Sequence, residues 1–177
     1  MGPTVEGNTV TWTAVADTYV QQNSIDDFGA NNTLRVKSDA KKGLSRNAFI
    51  KFDLSGVTVE SVACATLRLY CQFASESATE IANRDYKLYA VNSEWQESGM
   101  QWSTQPKADG KISDIDTKKA KKGTWIEVDI TEYVNAHLGE TISFMICNEG
   151  EASNENHINF SSREFKGQEP QIVLQTQ

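Results

Sequence analysis

Short runs of alternating apolar and polar residues, each cut off by a turn, set the strongest limit on what this chain can fold into. In TLRVK, residues 33–37, Leu34 and Val36 share one side-chain parity and Arg35 and Lys37 the other. In AFIKFDL, residues 48–54, Ile50 and Phe52 share one parity, and Phe49, Lys51 and Asp53 the other. Residues 65–72 set Leu67, Leu69 and Cys71 against Arg68 and Tyr70, and residues 124–130 set Ile126, Val128 and Ile130 against Trp125, Glu127 and Asp129. A period of two is the period of a strand, whose side chains point alternately to opposite faces. Every run therefore has a core face and an outward face.

The remaining segments extend the pattern. Residues 9–20 read as one or two strands, 21–32 as a turn-rich loop, 74–82 as a loop rich in Ala, Ser and Glu, and 84–91 as a strand with Tyr86, Leu88 and Ala90 opposite Lys87, Tyr89 and Val91. Residues 92–110 have no clean period and contain Trp95, Trp102 and Pro106, as expected of a long packed connection. A short strand at 111–116 and a lysine-rich hairpin turn at 118–123 follow. Thr131 is placed to cap a short helix with Val134 and Leu138 on one face and Gly139 at its stop. Strands at 141–149, 157–164 and 171–175 complete the chain. Nine or ten short antiparallel strands and one small helix predict an all-β, jelly-roll-type β-sandwich. It is read as one domain over residues 9–177, with residues 1–8 as a vector-derived leader or linker.

The charge distribution is uneven. Between Asn31 and Lys51 lie Arg35, Lys37, Lys41, Lys42, Arg46 and Lys51 against the single acid Asp39, in a chain of 177 residues with net charge −7. That overall balance argues against nucleic acid, whose phosphates call for a broad positive surface. No apolar stretch approaches the ~18 residues of a membrane span, so no membrane partner is expected. Cys64, Cys71 and Cys147 cannot all pair and match no zinc spacing, and Cys71 has core parity.

For a metal, Asp17, Asp26, Asp27, Asn31 and Asp39 are hard oxygen donors close in sequence, without an EF-hand pattern. Asp17 and Asp27 are the candidate ligands of a structural Ca2+; the competing reading gives these side chains turn and capping roles. For catalysis there is no G-x-S-x-G, H-E-x-x-H or P-loop motif. His157 with Arg163 is the one base and carboxylate-neutraliser pairing, and the chain is read as no enzyme.

ADTYV at residues 16–20, the Phe28-Gly29 turn, TLRVK, RNAFIKFDLS at 46–55 and ATLRLY at 65–70 resemble the DNRLRE domains, grouped as carbohydrate-binding module family 96. The tryptophan-rich segment from Trp95 to Pro106, GTWIEVDIT before the helix, and the run from Phe160 to Gln171 agree with it. The resemblance implies a β-sandwich appended to polysaccharide lyases, other secreted glycan-active enzymes or cell-surface proteins. It also implies an extracellular setting and, as for some members, binding of acidic polysaccharides such as alginate.

Uronate carboxylates are met best by the planar fork of Arg and by mobile Lys charges, and the C–H faces of sugar rings stack on aromatic side chains. If the strands share a sheet, outward parity gathers Arg35, Lys37, Phe49, Lys51, Arg68 and Tyr70, with Lys87 and Tyr89 from a fourth strand and Arg46 beside them. Lys41 and Lys42 read as solvated loop charge. Trp102 is expected to pack within its connection, Trp95 is open between core and surface, and Trp125 has outward parity. The predicted function is a non-catalytic module, monomeric in isolation, for an acidic polysaccharide such as alginate-like polyuronate or pectin. The alternative is a structural or adhesive module of a cell-surface protein with no glycan binding of its own.

Overall fold

The computed structural model describes residues 2–151 and 157–177. Among these the chain forms twelve strands: β1 (Thr4–Glu6), β2 (Thr9–Thr13), β3 (Ala16–Gln21), β4 (Thr33–Lys37), β5 (Arg46–Asp53), β6 (Cys64–Ala74), β7 (Tyr86–Val91), β8 (Gly110–Asp114), β9 (Trp125–Asp129), β10 (Thr141–Asn148), β11 (His157–Ser161) and β12 (Gln171–Gln175). Helix α1 (Ala78–Ala82) and helix α2 (Thr131–Ala136) are both short. The all-β sandwich expected from the alternation is present. Two elements differ from expectation. Thr4–Glu6, read as part of a leader, pairs antiparallel with β2, Val5 opposite Val10. The segment read as a loop at 74–82 contains α1, which buries no side chain and so leaves no apolar period to read.

Register fixes the layers. Residues 66–68 of β6 pair with both β12 and β9, so these lie on opposite edges of β6 and the first layer runs β1-β2-β12-β6-β9. By the same argument the second layer runs β3-β5-β10-β7-β8. The long β6 then leaves its layer. Its last residues pair with β11, β11 pairs with β4, and β4 meets β5 where Lys37 opposes Arg46, closing one side of the sandwich.

Leu67, Leu69, Ile126, Val128, Ile172 and Leu174 of the first layer face Ile50, Phe52, Leu88, Phe144 and Ile146 of the second, all buried in one core. Each such side chain contributes roughly 1.5–3 kcal/mol by leaving water. A second, smaller cluster lies on the other side of the second layer, where Val20, Phe49 and Val91 pack with Trp95 and Met100 of the 92–110 connection. Trp102 packs against its rim, as expected of a residue inside that connection.

In α2 the Thr131 hydroxyl accepts the Ala65 N–H at 2.9 Å, tying the helix start to β6, and Val134 is buried. Gly139 follows the helix at φ 78°, a left-handed position suited to glycine.

Candidate functional site

The strands expected to form one cationic platform fall on different surfaces. Lys51 and Phe49 look out from the second layer, Arg68 and Tyr70 from the first, and Arg35 from the β6-β11-β4 side. Two expected platform residues are not at the surface at all. Phe49 is 0% exposed, because the 92–110 connection crosses its outward face and sets the Trp95 ring edge-on to it at 6.1 Å. Lys37 is 6% exposed, with Nζ 2.9 Å from Asp39 Oδ2. The contact is Coulombic, since among the described residues Asp39 Oδ2 accepts no aligned hydrogen bond. The segment after β4 folds back over this pair: Ser38 donates to the Gly150 carbonyl, Asp39 N–H to Ser45 Oγ and Leu44 N–H to the Asp39 carbonyl.

Other expected residues are committed to partners. Lys51 is half-buried, its ammonium 4.5 Å above the Trp95 ring and donating to the Trp95 carbonyl at 2.5 Å, and burial lowers its pKa. Lys87 bridges Asp85 at 2.8 Å and Asp114 at 3.2 Å, contacts that raise its pKa. Tyr89 donates to Glu149 Oε1 at 2.5 Å, which pushes its pKa up to about 12. The surroundings of Lys87 and Tyr89 thus carry carboxylates rather than free cations.

What β6 does bring together is a line of outward side chains. Arg68 lies with its guanidinium 4.4 Å over the Trp125 ring, and Tyr70 meets that ring edge-on at 5.2 Å. The fork is held by Glu127 Oε1 at 3.0 Å and Gln171 Oε1 at 3.2 Å, from the strands on either side. Cross-strand pairing explains the cluster, since Tyr70 stands opposite Trp125 and Arg68 opposite both Glu127 and Gln171. Farther along, Asn159 pairs with Phe73 but Phe160 with Cys71, leaving Gln72 as the extra residue of a bulge. Simple alternation gives Phe73 the buried parity of Leu69 and Cys71; the bulge turns it outward, 43% exposed, with His157 stacked on it at 4.8 Å. Gln72 is knitted to Thr33, Asn32 and Ser161.

Arg35 stands across Asn159 from Phe73 in the same row. It is exposed and, among the described residues, has no hydrogen-bond or ion-pair partner. Arg46 donates to Gln21 Oε1 at 2.9 Å; burial and then the neighbouring Arg35 charge lower its pKa. The outward line on β6 thus has an aromatic and guanidinium cluster toward one end and two adjacent arginines beside the other.

The model of carbohydrate-binding module family 96 matches residues 8–176. This chain belongs to that family. It is therefore a carbohydrate-binding module. A search of curated protein sequences returned no match. Among the solved structures that align with the module are two carbohydrate-active proteins. The xylan-binding module CBM15 is 11% identical, with a TM-score of 0.44 over 99% of this chain and 95% of that one. Xylanase10C from Cellvibrio japonicus in complex with xylopentaose is also 11% identical, with a TM-score of 0.42 over 92% of this chain. The module spans 27% of the xylanase chain. Among the described residues no helix is long and apolar enough to cross a membrane.

In this family 96 module Asp17 and Asp27 serve different contacts. Asp27 accepts the Gly29 N–H at 2.9 Å and the Ser98 hydroxyl at 2.8 Å, bonds that lower its pKa and pin the 92–110 connection to the loop after β3. Asp17 is 1% exposed; its Oδ2 accepts the Arg163 N–H at 2.7 Å, its N–H donates to Glu97 Oε1 at 3.0 Å, and its Oδ1 has no partner among the described residues. Burial pushes its pKa up to about 7. Among the described residues no three His, Cys, Asp or Glu side chains group as a metal site. Both Asp27 oxygens are engaged, whereas Asp17 Oδ1, without a partner among the described residues, is the oxygen of the pair that could serve as one of the ~6–8 oxygen ligands of a Ca2+.

His157 and Arg163, named together in the sequence, are engaged separately. His157 stacks on Phe73, whereas Arg163 Nε contacts Glu97 Oε1 at 3.0 Å and the Val15 carbonyl at 3.1 Å. Burial raises the pKa of the Cys71 thiol to about 11 and of the Cys147 thiol to about 12; Cys71 packs in the main core as a small apolar filler, whereas Cys147 stands near Glu149, Lys87 and Asp85.

Proposed function

We propose that the module is a non-catalytic binder of an acidic, uronate-rich polysaccharide, which lies along the outward line of β6. The observation that carries this reading is the Arg68, Trp125 and Tyr70 cluster on β6 and β9, continued through Gln72 and Phe73 toward Arg35, which has no ion-pair partner among the described residues. Outward residues two apart on a strand lie roughly 6.6 Å apart, so the line from Arg68 to Phe73 presents contacts along an extended glycan. Trp125 and Tyr70 offer apolar ring surface to sugar C–H faces. Arg35 and Arg46 supply positive charge that no carboxylate among the described residues neutralises by direct pairing. The protein carrying the module is, on this reading, secreted or displayed at the cell surface.

Affinity electrophoresis in gels containing alginate, polygalacturonate, xylan or cellulose tests the reading. Retardation by the two polyuronates that weakens with salt is expected, because solvent-exposed charge contacts are screened. Retardation by xylan alone would replace the acidic ligand with a neutral one. No retardation by any of the four would favour a structural or adhesive module.

We also propose Asp17 as a ligand of a structural Ca2+, on the strength of its buried oxygen that lacks a partner among the described residues. A melting temperature raised by Ca2+ and lowered by EDTA in wild type, but not in Asp17→Asn, is the expected outcome. An equal response in both proteins would remove Asp17 from that role.

A further inference from the structure

Four lysines, Lys118, Lys119, Lys121 and Lys122, crowd the turn that leads into β9. All four are exposed, and among the described residues none forms an ion pair. The turn itself is firmly held. Thr117 and Ala120 are buried, the Ala120 N–H donates to the Thr117 carbonyl, and Arg84 donates to that same carbonyl at 3.0 Å. The Gly123 N–H donates to the Cys71 carbonyl at 2.9 Å and the Cys71 N–H to the Thr124 carbonyl at 2.8 Å, stapling the turn to β6. Gly123 adopts φ 89°, and a Cβ there would approach the Tyr70 hydroxyl at 3.8 Å, so the turn abuts the aromatic cluster. Like charges are thereby concentrated on a fixed scaffold, and their mutual repulsion is relieved by an anion.

Between this turn and β9 lies a cleft of about 320 Å3 whose lining includes Trp125, Lys119, Thr124, Asp116 and Glu127. That volume lies at the small end of the range for ligand pockets, ~300–1,000 Å3. Its chemistry is divided as a single anionic sugar ring requires: an aromatic wall for the C–H face, an ammonium for the charged substituent, and oxygen acceptors for hydroxyls.

We infer that this cleft is a subsite for one uronate residue of the bound chain, with Lys119 taking the carboxylate and the other three turn lysines drawing the polymer in. The inference rests on the reading that β6 bears a polyuronate, and assigns one end of that line. The Asp116 and Glu127 carboxylates in the lining disfavour a second anionic group in the cleft, which suits one carboxylate per sugar ring.

The test is titration calorimetry with alginate and polygalacturonate oligosaccharides, with dextran sulfate as the alternative anion, at two salt concentrations. A variant with all four lysines changed to Ser, and Lys119→Ala alone, should keep the wild-type melting temperature because the side chains are exposed. The fourfold variant should bind polyuronate at least about tenfold more weakly and with a flatter salt dependence, and Lys119→Ala about threefold more weakly. Wild-type affinity in the fourfold variant, with Arg68→Ala still defective, would overturn the subsite and leave the β6 reading standing. Absence of polyuronate binding by wild type would overturn both. Equal or tighter binding of dextran sulfate would overturn the assignment to a carboxylate.

Discussion

The outward faces of β5 and β6 carry the same kinds of side chain, aromatic rings beside cations, and meet opposite fates. On β5, Phe49 and Lys51 lie under the 92–110 connection, where Trp95 closes over both and a small second core forms. On β6, Arg68 and Tyr70 surround a Trp125 that no segment covers completely. Strand parity tells which side of a sheet a residue takes. It does not tell whether that side meets water, because a loop distant in sequence decides it. Cations show the same contrast: Lys51 donates to a backbone carbonyl beneath its cover, whereas Arg35 has no partner among the described residues.

The strongest way to break the comparison is to remove the covered aromatic. Phe49→Ala should destabilise the fold by about 3–5 kcal/mol in urea denaturation, the cost of truncating a fully buried Phe. Polyuronate affinity measured well below the melting transition should stay within about twofold, because Phe49 is remote from the β6 line. A loss below about 1 kcal/mol would mean that the connection does not seal the β5 face. Tyr70→Ala is the opposite case, with a small stability change and a clear loss of binding.

Asp17, whose N–H is tied to Glu97 of the same cover, gives the next largest effect. Its folded pKa of about 7 exceeds the ordinary 3.8, so the folded state holds the proton more tightly. The associated stability is fully present below about pH 4 and is lost as the pH rises through 7, by at most about 4 kcal/mol. Asp27 and Asp129, whose pKa values are lowered, act oppositely at low pH, so the measurement is the difference between wild type and Asp17→Asn. The asparagine protein should gain on wild type between pH 4 and 8. A constant difference across that window would show that Asp17 does not titrate there.

The legible part of the molecule was whatever a period of two encodes. The core faces of β4, β5, β6 and β9, the inward Cys71 and the outward Trp125 all follow from alternation within a single run. Partnering between runs was not legible. Nothing local in AFIKF says that residues 92–110 will lie across it, and nothing in TLRLY says that β6 will pair in one layer at its start and leave that layer at its end. Phe73 illustrates a third limit: one bulge reverses the phase, so continuing the count past Gln72 assigns it to the wrong face. The lysines of residues 118–122 were plain in the sequence, but their proximity to Tyr70 follows from the pairing of Gly123 and Thr124 with Cys71.

The smallest effect falls on one of two basic residues that share a strand, and there the comparison is sharpest. Arg35 and Lys37 have the same parity and lie two positions apart on β4, yet Lys37 is buried beneath the 38–45 segment against Asp39. That segment turns back through Gly43 at φ 65°, where a Cβ would lie 2.1 Å from Asn23 Nδ2, so a side chain at this position clashes as well as strains the backbone. Lys37→Ala leaves the Asp39 carboxylate buried without its counter-ion and should cost about 3 kcal/mol. Arg35→Ala removes an exposed side chain that has no partner among the described residues and should change stability by no more than about 0.5 kcal/mol. Its effect should appear in binding: polyuronate affinity falling about threefold to tenfold at low salt, with less difference from wild type at high salt, because a solvent-exposed contact is screened. Equal binding by Arg35→Ala and wild type at every salt concentration would confine the glycan to the Trp125 end of β6. A stability loss as large as that of Lys37→Ala would mean that Arg35, too, is held by the fold.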